Sequence, residues 1–163
     1  MIRYRPPEPR KSPYITPEGK RSLLSEQKAL WLRRREVVAA LSAAAAEGDR
    51  SENAEYIYRK KELREIDRRI RYLQKRLPDL NVIDKKPARS DQVFFGATVS
   101  LEDKDEALVR YRIVGPDEFD HAEHYISVDS PLARSLLKRE LGDEIEVEVP
   151  NGRLAYCIVD IAY

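Results

Sequence analysis

Apolar side chains follow the period of one α-helix face in two runs between positions 23 and 80, with Gln27 and Arg34 as polar interruptions of the first run. The first run starts at Thr16, a capping residue followed by Pro17 at the first helical position, and extends to about Ala46. The second run keeps the spacing of a coiled-coil seam until Pro78, which should end or kink the helix. The seam positions are Leu23, Leu30, Val37, Leu41 and Ala44 in the first run and Leu63, Ile66, Ile70, Leu73, Leu77 and Leu80 in the second.

The two helical runs are separated only by Gly48-Asp49-Arg50-Ser51. So short a connection makes the helices antiparallel neighbours, and a turn near Asp49 would place Leu30 against Ile70. Helices of about 27 residues give a hairpin ~40 Å long at 1.5 Å per residue. A hairpin of this length could serve as a spacer or a dimerisation arm, so its pattern alone implies no chemistry.

Beyond residue 91 the pattern changes to that of β-strands, with runs of β-branched and aromatic residues. A helix is expected from about residue 132 to residue 140, with Ser130 as its cap and Pro131 at its first position. The predicted strands cover residues 93–101, 108–114, 125–128, 144–149 and 154–162, the last two joined across the turn sequence Pro150-Asn151-Gly152. The predicted fold class is therefore α+β: a long antiparallel α-helical coiled-coil hairpin followed by a small α+β domain.

These patterns predict four segments. Residues 1–13 contain four prolines and are interpreted as a flexible arm with no packed structure. Residues 14–84 are expected to form the coiled-coil domain, whose tip lies at 48–56. Residues 85–91, rich in Lys and Arg, are expected to link it to a C-terminal domain at 92–163.

Charge is distributed unevenly along a chain whose net charge is only +1. Residues 1–90 hold 23 Lys and Arg against 13 Asp and Glu, whereas residues 91–163 hold 7 against 16. The basic half is suited to nucleic acid and the acidic half to a different partner. Basic residues cluster at 33–35 and 59–64, either as a solvated helix face with i,i+4 ion pairs or as a contact for phosphates. The large basic excess favours phosphates, and because no base-reading motif is present the contact would not be sequence-specific.

The composition also limits the compartment and the metals. No run approaches the roughly 18 apolar residues of a membrane span, and the basic start lacks the apolar core of a secretory signal. Cys157 is the only cysteine, so no internal disulfide can form and the reducing cytoplasm is the expected location. With only two histidines in addition, a zinc site of the usual ligands is not expected. The default expectation is a monomer that does not associate with membranes.

The candidate chemistry lies at the hairpin tip, where Asp49 and Glu52 stand three residues apart at a helix start. One interpretation is a capping box, in which Asp49 caps the second helix and Glu52 bonds back. The other is an exposed pair of carboxylates able to hold a hard cation such as Mg²⁺. The two are compatible because a capping carboxylate keeps lone pairs free. Two carboxylates alone bind Mg²⁺ weakly, so a metal role requires ligands from a partner.

The tip sequence Gly-Asp-Arg-Ser-Glu-Asn-Ala-Glu-Tyr at 48–56 resembles the signature of Gre transcript cleavage factors. Blocks at 61–73, 93–97 and 126–134 are similar to the GreB branch of that family, and the resemblance spans residues 14–163. It implies an N-terminal antiparallel coiled coil and a C-terminal domain with a fold similar to FK506-binding proteins (FKBP-like). The chain departs from the family pattern in its longer arm, in Lys20 where an aromatic residue is common, and in ending without a basic tail.

The resemblance implies a factor that binds bacterial RNA polymerase at its secondary channel and stimulates the polymerase's own cleavage of backtracked nascent RNA. The chain itself would then be a cofactor and not an enzyme, and the Mg²⁺ ion would be shared with the polymerase active site, with none bound by the isolated chain. The matching residues are Asp49 and Glu52 as the catalytic and metal-binding acidic pair, Arg59, Lys60 and Lys61 as contacts to the extruded 3′ segment of the RNA, and Asp129, Ser130 and Pro131 as the loop that seats the C-terminal domain on polymerase.

Two other functions remain open from the sequence. A non-catalytic binder of the same channel would inhibit polymerase, but the presence of both Asp49 and Glu52 argues against it. A prolyl isomerase or chaperone is suggested only by the implied C-terminal fold, which is weak support for an activity. No tryptophan follows Trp31 to floor a proline pocket there.

Overall fold

The computed structural model describes residues 6–47 and 53–163 of the chain. They form two compact units, one consisting of Lys20–Leu80 and the other of Asn81–Tyr163 together with the residues up to Gly19. Residues 14–19, which the sequence pattern assigns to the coiled-coil domain, therefore lie with the C-terminal unit. Among the described residues, no helix has both the length and the apolar character needed to cross a membrane.

The helical unit contains the two long helices that the periodicity predicts. Helix α1 spans Pro17–Ala46, starting in the other unit, and α2 spans Ala54–Arg76. Pro78 lies in a short 3₁₀ turn, Leu77–Asp79, that follows α2 directly, so the predicted stop is confirmed. Proline cannot supply the backbone N–H that another α-helical turn would need.

The seam between the helices is apolar along its centre and charged along its sides. Leu30 and Leu63 pack against the buried residues Val37, Ile66 and Ile70, which confirms the predicted proximity of Leu30 and Ile70. The direction of pairing is antiparallel, because residues early in α1 meet residues late in α2. Ion pairs between the helices join Glu26 to Arg69 at 2.6 Å, Arg33 to Glu62 at 2.7 Å and Arg34 to Asp67 at 2.7 Å.

The C-terminal unit is built on a five-stranded sheet. Its strands are β3 at Thr98–Glu102, β4 at Leu108–Val114, β5 at Tyr125–Ser127, β6 at Glu144–Val149 and β7 at Gly152–Ala162. The strand order is β5-β4-β3-β7-β6, and all neighbouring strands are antiparallel except β4 and β5, which run parallel. Helix α3, Pro131–Leu136, follows β5.

The core of this unit follows from the two-residue period of its strands. Val99 and Leu101 of β3 are fully buried while their neighbours are partly exposed, and Ile145 and Val147 alternate with glutamates in β6. These side chains share one cluster with Leu136 of α3. The sheet therefore buries one face against α3, which confirms the predicted α+β class. The likeness of this unit to FK506-binding proteins stays a prediction.

Two predicted elements are shorter than expected. The first strand begins at Thr98 and not at residue 93, because Val93 exchanges backbone hydrogen bonds with Lys138 and Arg139 instead. Helix α3 ends at Leu136 and not near residue 140. Lys138 has a φ of +67°, a left-handed backbone that no α-helix can include.

A third difference concerns the chain before α1. Tyr14–Ile15 forms a two-residue strand, β1, that pairs in parallel with β2 at Asn81–Val82. The sequence pattern predicts neither strand, since two residues are too few to show a period. This pairing joins the start of α1 to the C-terminal unit.

Candidate functional sites

The hairpin tip is described up to Glu47 and again from Asn53 onward. Asp49 and Glu52 lie outside the described residues. The helix start beside them differs from the predicted capping box, because α2 begins at Ala54 and its cap is Asn53. Asn53 has an extended backbone, with φ −82° and ψ 101°, and its Oδ1 accepts a hydrogen bond from the Tyr56 N–H at 3.1 Å.

The Asn53 side chain also reaches the other helix. Its Nδ2 donates to the carbonyl oxygen of Ala44 in the last turn of α1 at 2.8 Å. One amide side chain thus satisfies an orphan N–H at the start of α2 and gives the Ala44 carbonyl a second donor beside the Glu47 N–H, which lies 3.3 Å away. Asparagine is a preferred capping residue, so the cap could have been read from the sequence. The bond to Ala44 could not, because it requires the antiparallel pairing.

Replacing Asn53 by alanine should destabilise the hairpin by about 1–2 kcal/mol, because it removes a helix cap and a second hydrogen bond. Asn53→Asp keeps an acceptor for the Tyr56 N–H but has no donor for the Ala44 carbonyl, so its stability should be intermediate. The measurement is urea unfolding followed by circular dichroism at 222 nm. Equal stability of Asn53→Asp and the parent chain would show that the bond to Ala44 contributes nothing.

The three cations predicted to contact RNA differ in their surroundings. Arg59 donates from Nε to Glu55 at 2.8 Å and from Nη1 to Glu62 at 3.1 Å. The hydrogen bond to Glu55 and, to a smaller extent, the one to Glu62 raise the pKa of Arg59 above its usual value. Lys60 and Lys61 are exposed, with the Lys60 ammonium 5.8 Å from the centre of the Tyr56 ring. The charge of Arg59 is therefore offset within α2, whereas Lys60 and Lys61 present theirs to solvent.

The second basic cluster, at residues 33–35, also contains both ion-paired and solvent-exposed arginines. Arg33 is held by Glu36 and Glu62, and Arg34 is held by Asp67. Arg35 is exposed. For Arg33 and Arg34 the interpretation as ion-paired helix faces is the one that the structure supports.

The loop predicted to contact polymerase connects β5 to α3. Ser130 has φ −68° and ψ 152°, and its Oγ accepts from the Ala133 N–H at 3.2 Å, so it caps α3 as predicted. Pro131 is exposed at the first helical position. The Asp129 N–H donates to the Ser127 hydroxyl at 3.1 Å. We call Asp129, Ser130 and Pro131 the docking loop.

The carboxylate of Asp129 is held by a residue 117 positions away. Ser12 donates its N–H to Asp129 Oδ2 at 2.9 Å and its hydroxyl to Asp129 Oδ1. Pro13 follows, and its carbonyl oxygen accepts from the Asn81 N–H at 2.7 Å. The prediction that the chain is unpacked through residue 13 is therefore wrong at Ser12 and Pro13. Nothing in the local sequence indicates these contacts.

Residues 12–16, which we call the strap, have three further attachments to the C-terminal unit. The ring of Tyr14 lies 5.9 Å from that of Phe95, centre to centre. Ile15 is fully buried, and its carbonyl oxygen accepts from Ile83. Gly115 allows the strap to approach closely, because a Cβ there would lie 2.0 Å from the Tyr14 carbonyl oxygen. The strap is thus part of the packed structure.

The end of the strap is held by a buried carboxylate. Glu118 is 1% exposed and accepts from the Thr16 N–H at 3.0 Å, the Thr16 hydroxyl at 2.7 Å and the Gly115 N–H at 2.8 Å. Thr16 Oγ1 in turn accepts from the Gly19 N–H, which confirms the predicted cap. Gly19 must lack a side chain, since a Cβ would lie 1.5 Å from Glu118 Oε2. The negative charge of this carboxylate at the first turn of α1 also interacts favourably with the helix dipole.

The described residues define a two-unit α+β protein with a helical hairpin in one unit and a five-stranded sheet in the other. They contain no cluster of three or more His, Cys, Asp or Glu side chains that could hold a metal ion. Family models match both units. The model described as "Transcription elongation factor, N-terminal" matches residues 13–82, and that described as "Transcription elongation factor, GreA/GreB, C-term" matches residues 87–163. The chain belongs to the GreA/GreB family of transcription elongation factors.

Individual relatives agree with this assignment. The chain is 56% identical over 165 residues to transcription elongation factor GreB of Xanthomonas axonopodis pv. citri, covering 100% of this chain and 98% of that protein. It is 54% identical over 164 residues to GreB of Pseudomonas aeruginosa, with the same coverage. The solved structure of GreA factor homolog 1 from Thermus thermophilus is 22% identical and has a TM-score of 0.43, covering 94% of this chain and 100% of that one. The two family models and the two GreB proteins confirm the resemblance to the Gre family that the sequence motifs indicate.

Proposed function

We propose that this chain binds bacterial RNA polymerase at the secondary channel and stimulates the polymerase's own cleavage of backtracked nascent RNA, which releases arrested complexes. The observation that carries the proposal is the match of both units to one family of elongation factors, together with two carboxylates in the sequence between α1 and α2. The identity of about half or more with GreB proteins over the whole chain supports the same branch of the family.

The chemistry assigned to the tip depends on carboxylate oxygens. Asp49 and Glu52 offer the hard oxygen ligands that Mg²⁺ prefers, but two carboxylates leave most of its octahedral positions to be filled. The remaining ligands would come from the polymerase active site. When bound there, the ion supplies charge stabilisation to the phosphodiester and lowers the pKa of the attacking water. Asp49 and Glu52 would hold this ion and orient the water.

This division of labour makes the chain a cofactor of another enzyme. The nucleic acid, most of the metal ligands and the cleaved bond all belong to the polymerase complex. The chain supplies two carboxylates at the hairpin tip and cations on the α2 face. Alone, it should hydrolyse no RNA.

The deciding experiment is a transcript cleavage assay on stalled, backtracked elongation complexes with labelled RNA, with and without the purified chain. We expect the chain to accelerate release of a short 3′ fragment and to release nothing from free RNA. A parallel competition assay measures binding of the chain to polymerase. Binding without acceleration would identify a non-catalytic channel binder, and absence of binding would refute the proposal.

The basic face makes a further prediction about RNA length. Replacing Lys60 and Lys61 by alanine should weaken action on a ten-nucleotide backtracked segment several-fold and on a two-nucleotide segment little, because only the longer strand reaches both lysines. The slope of the log–log salt dependence should fall by about 0.7 for each RNA phosphate that the variant no longer neutralises. The measurement is the half-maximal factor concentration at several salt concentrations.

Arg59→Ala is the matched control for this pair. Because Arg59 is already bound by Glu55 and Glu62, its removal should change the salt dependence less than the loss of either lysine. An equal loss of activity on short and long RNA for the lysine variant would indicate a weakened hairpin and not an interaction with phosphates.

A further inference from the structure

The strap and the docking loop meet at a single side-chain pair. Ser12 donates its N–H and its hydroxyl to the two oxygens of Asp129, one donor to each oxygen. The Asp129 N–H is held from the other side by the Ser127 hydroxyl. Since rotation of the carboxyl group would break both bonds to Ser12, the orientation of Asp129 depends on the strap.

These bonds leave the carboxylate able to accept from another donor. An ionised carboxylate has about four acceptor sites on its two oxygens, and Ser12 uses two of them. Asp129 and Ser130 are partly exposed and Pro131 is exposed, so the loop is open to a partner. A partner with N–H or cationic groups fits the remaining sites.

We propose that Ser12 is a positioning residue for the docking loop: it orients the Asp129 carboxylate so that its free acceptor sites receive a donor from RNA polymerase. This inference rests on the proposed function, because it takes the loop as a contact to polymerase. It adds a residue from the chain before α1 to the docking surface. The strap then does more than connect the start of the chain to α1, because it also orients a residue of the binding site.

The structure allows Ser12 to be tested without dislodging the strap. Pro13 is bound to Asn81, Tyr14 lies against Phe95, and Thr16 is bound to Glu118. These attachments do not involve the Ser12 side chain. Ser12→Ala therefore removes one of the two donors to Asp129 and leaves the backbone donor and the rest of the strap in place.

The experiment measures the affinity of the full chain for polymerase by competition, in a double-mutant cycle of Ser12→Ala and Asp129→Ala. We expect Ser12→Ala to raise the dissociation constant about 3- to 10-fold, as for the loss of one bond to a charged acceptor. Asp129→Ala should raise it further, and the double variant should match Asp129→Ala alone. Ser12→Thr, which keeps both donors, should restore the affinity. Ser25→Ala, at an exposed position of α1, is the matched control for the loss of a hydroxyl.

The outcomes separate this inference from the proposed function. If Ser12→Ala binds polymerase normally while Asp129→Ala binds it more weakly, the inference alone is overturned. Additive effects of the two substitutions in the double variant would overturn it as well. Normal affinity of both variants would overturn the inference together with the docking role of the loop. If Ser12→Ala binds polymerase more weakly and Ser12→Thr does not restore the affinity, the loss is structural and the inference is overturned. Because binding is measured directly, a failure of the cleavage activity leaves this test intact.

Discussion

Alanine at Asp49 or at Glu52 is expected to reduce stimulation of RNA cleavage about 100-fold or more while binding to RNA polymerase stays near that of the parent chain. Removing one group that stabilises charge in a transition state typically costs a factor of 10²–10³. The two residues fall between α1 and α2 in the sequence of the helical unit, whereas the predicted docking loop belongs to the other unit. These substitutions should therefore lower the cleavage rate without lowering the affinity for RNA polymerase.

The measurement is the cleavage rate against Mg²⁺ concentration, with binding followed by competition in the same buffer. Asp49→Asn and Glu52→Gln keep the side-chain shape, so they should fail as the alanine variants do if charge is what matters. Glu47→Ala is the matched control, because Glu47 is an exposed carboxylate at the end of α1 that is not one of the pair. Wild-type cleavage by Asp49→Ala or Glu52→Ala at limiting Mg²⁺ would show that the metal role is wrong.

The largest effect on stability is expected at Glu118. Glu118→Ala should lower the free energy of unfolding of the C-terminal unit by about 3–5 kcal/mol, because the Thr16 N–H, the Thr16 hydroxyl and the Gly115 N–H lose their acceptor in a buried place. A loss of this size should lower the melting temperature by roughly 10 °C for a chain of this length.

Thermal and urea unfolding of the full chain measure this effect. Glu118→Gln keeps one acceptor oxygen but faces the donors with an NH₂ group, so it should lose less stability than Glu118→Ala. Glu123→Ala, an exposed glutamate of the same acidic loop, should change the free energy of unfolding little. A loss below about 1 kcal/mol for Glu118→Ala would contradict the buried hydrogen bonds as the hold on the strap.

The helical hairpin could be predicted from the sequence because its determinants are local. Leu63, Ile66 and Ile70 repeat with the period of one helix face, and the structure buries Ile66 and Ile70 at the seam. Thr16 and Ser130 cap α1 and α3 as expected, since a cap depends on a side chain and the N–H groups two or three residues later. Asp49 and Glu52 were found as candidate site residues because the tip motif is contiguous.

The element limits in the C-terminal unit were predicted less well, and one residue shows why. Val93 has the β-branched side chain typical of a strand, but its backbone bonds to Lys138 and Arg139, which follow α3, and not to the sheet. Propensity describes how well a residue suits a strand and not which partner its backbone finds. The left-handed backbone at Lys138 likewise ends a helix that local preference would continue.

Only the tertiary structure decided which distant residues support the sites. Ser12 binds Asp129 across 117 positions of the chain, and Thr16 binds Glu118 across 102. The Asn53 side chain meets the Ala44 carbonyl only because α1 and α2 run antiparallel. Periodicity and capping are properties of neighbours along the chain, so the sequence by itself determined the two long helices and the caps at Thr16 and Ser130. Ser12 lies in a proline-rich arm and Glu118 in an acidic loop, and neither has a local sequence feature that indicates its partner. Their hydrogen bonds join residues more than 100 positions apart, so they require the folded C-terminal unit, on which the strap lies with β1 paired to β2.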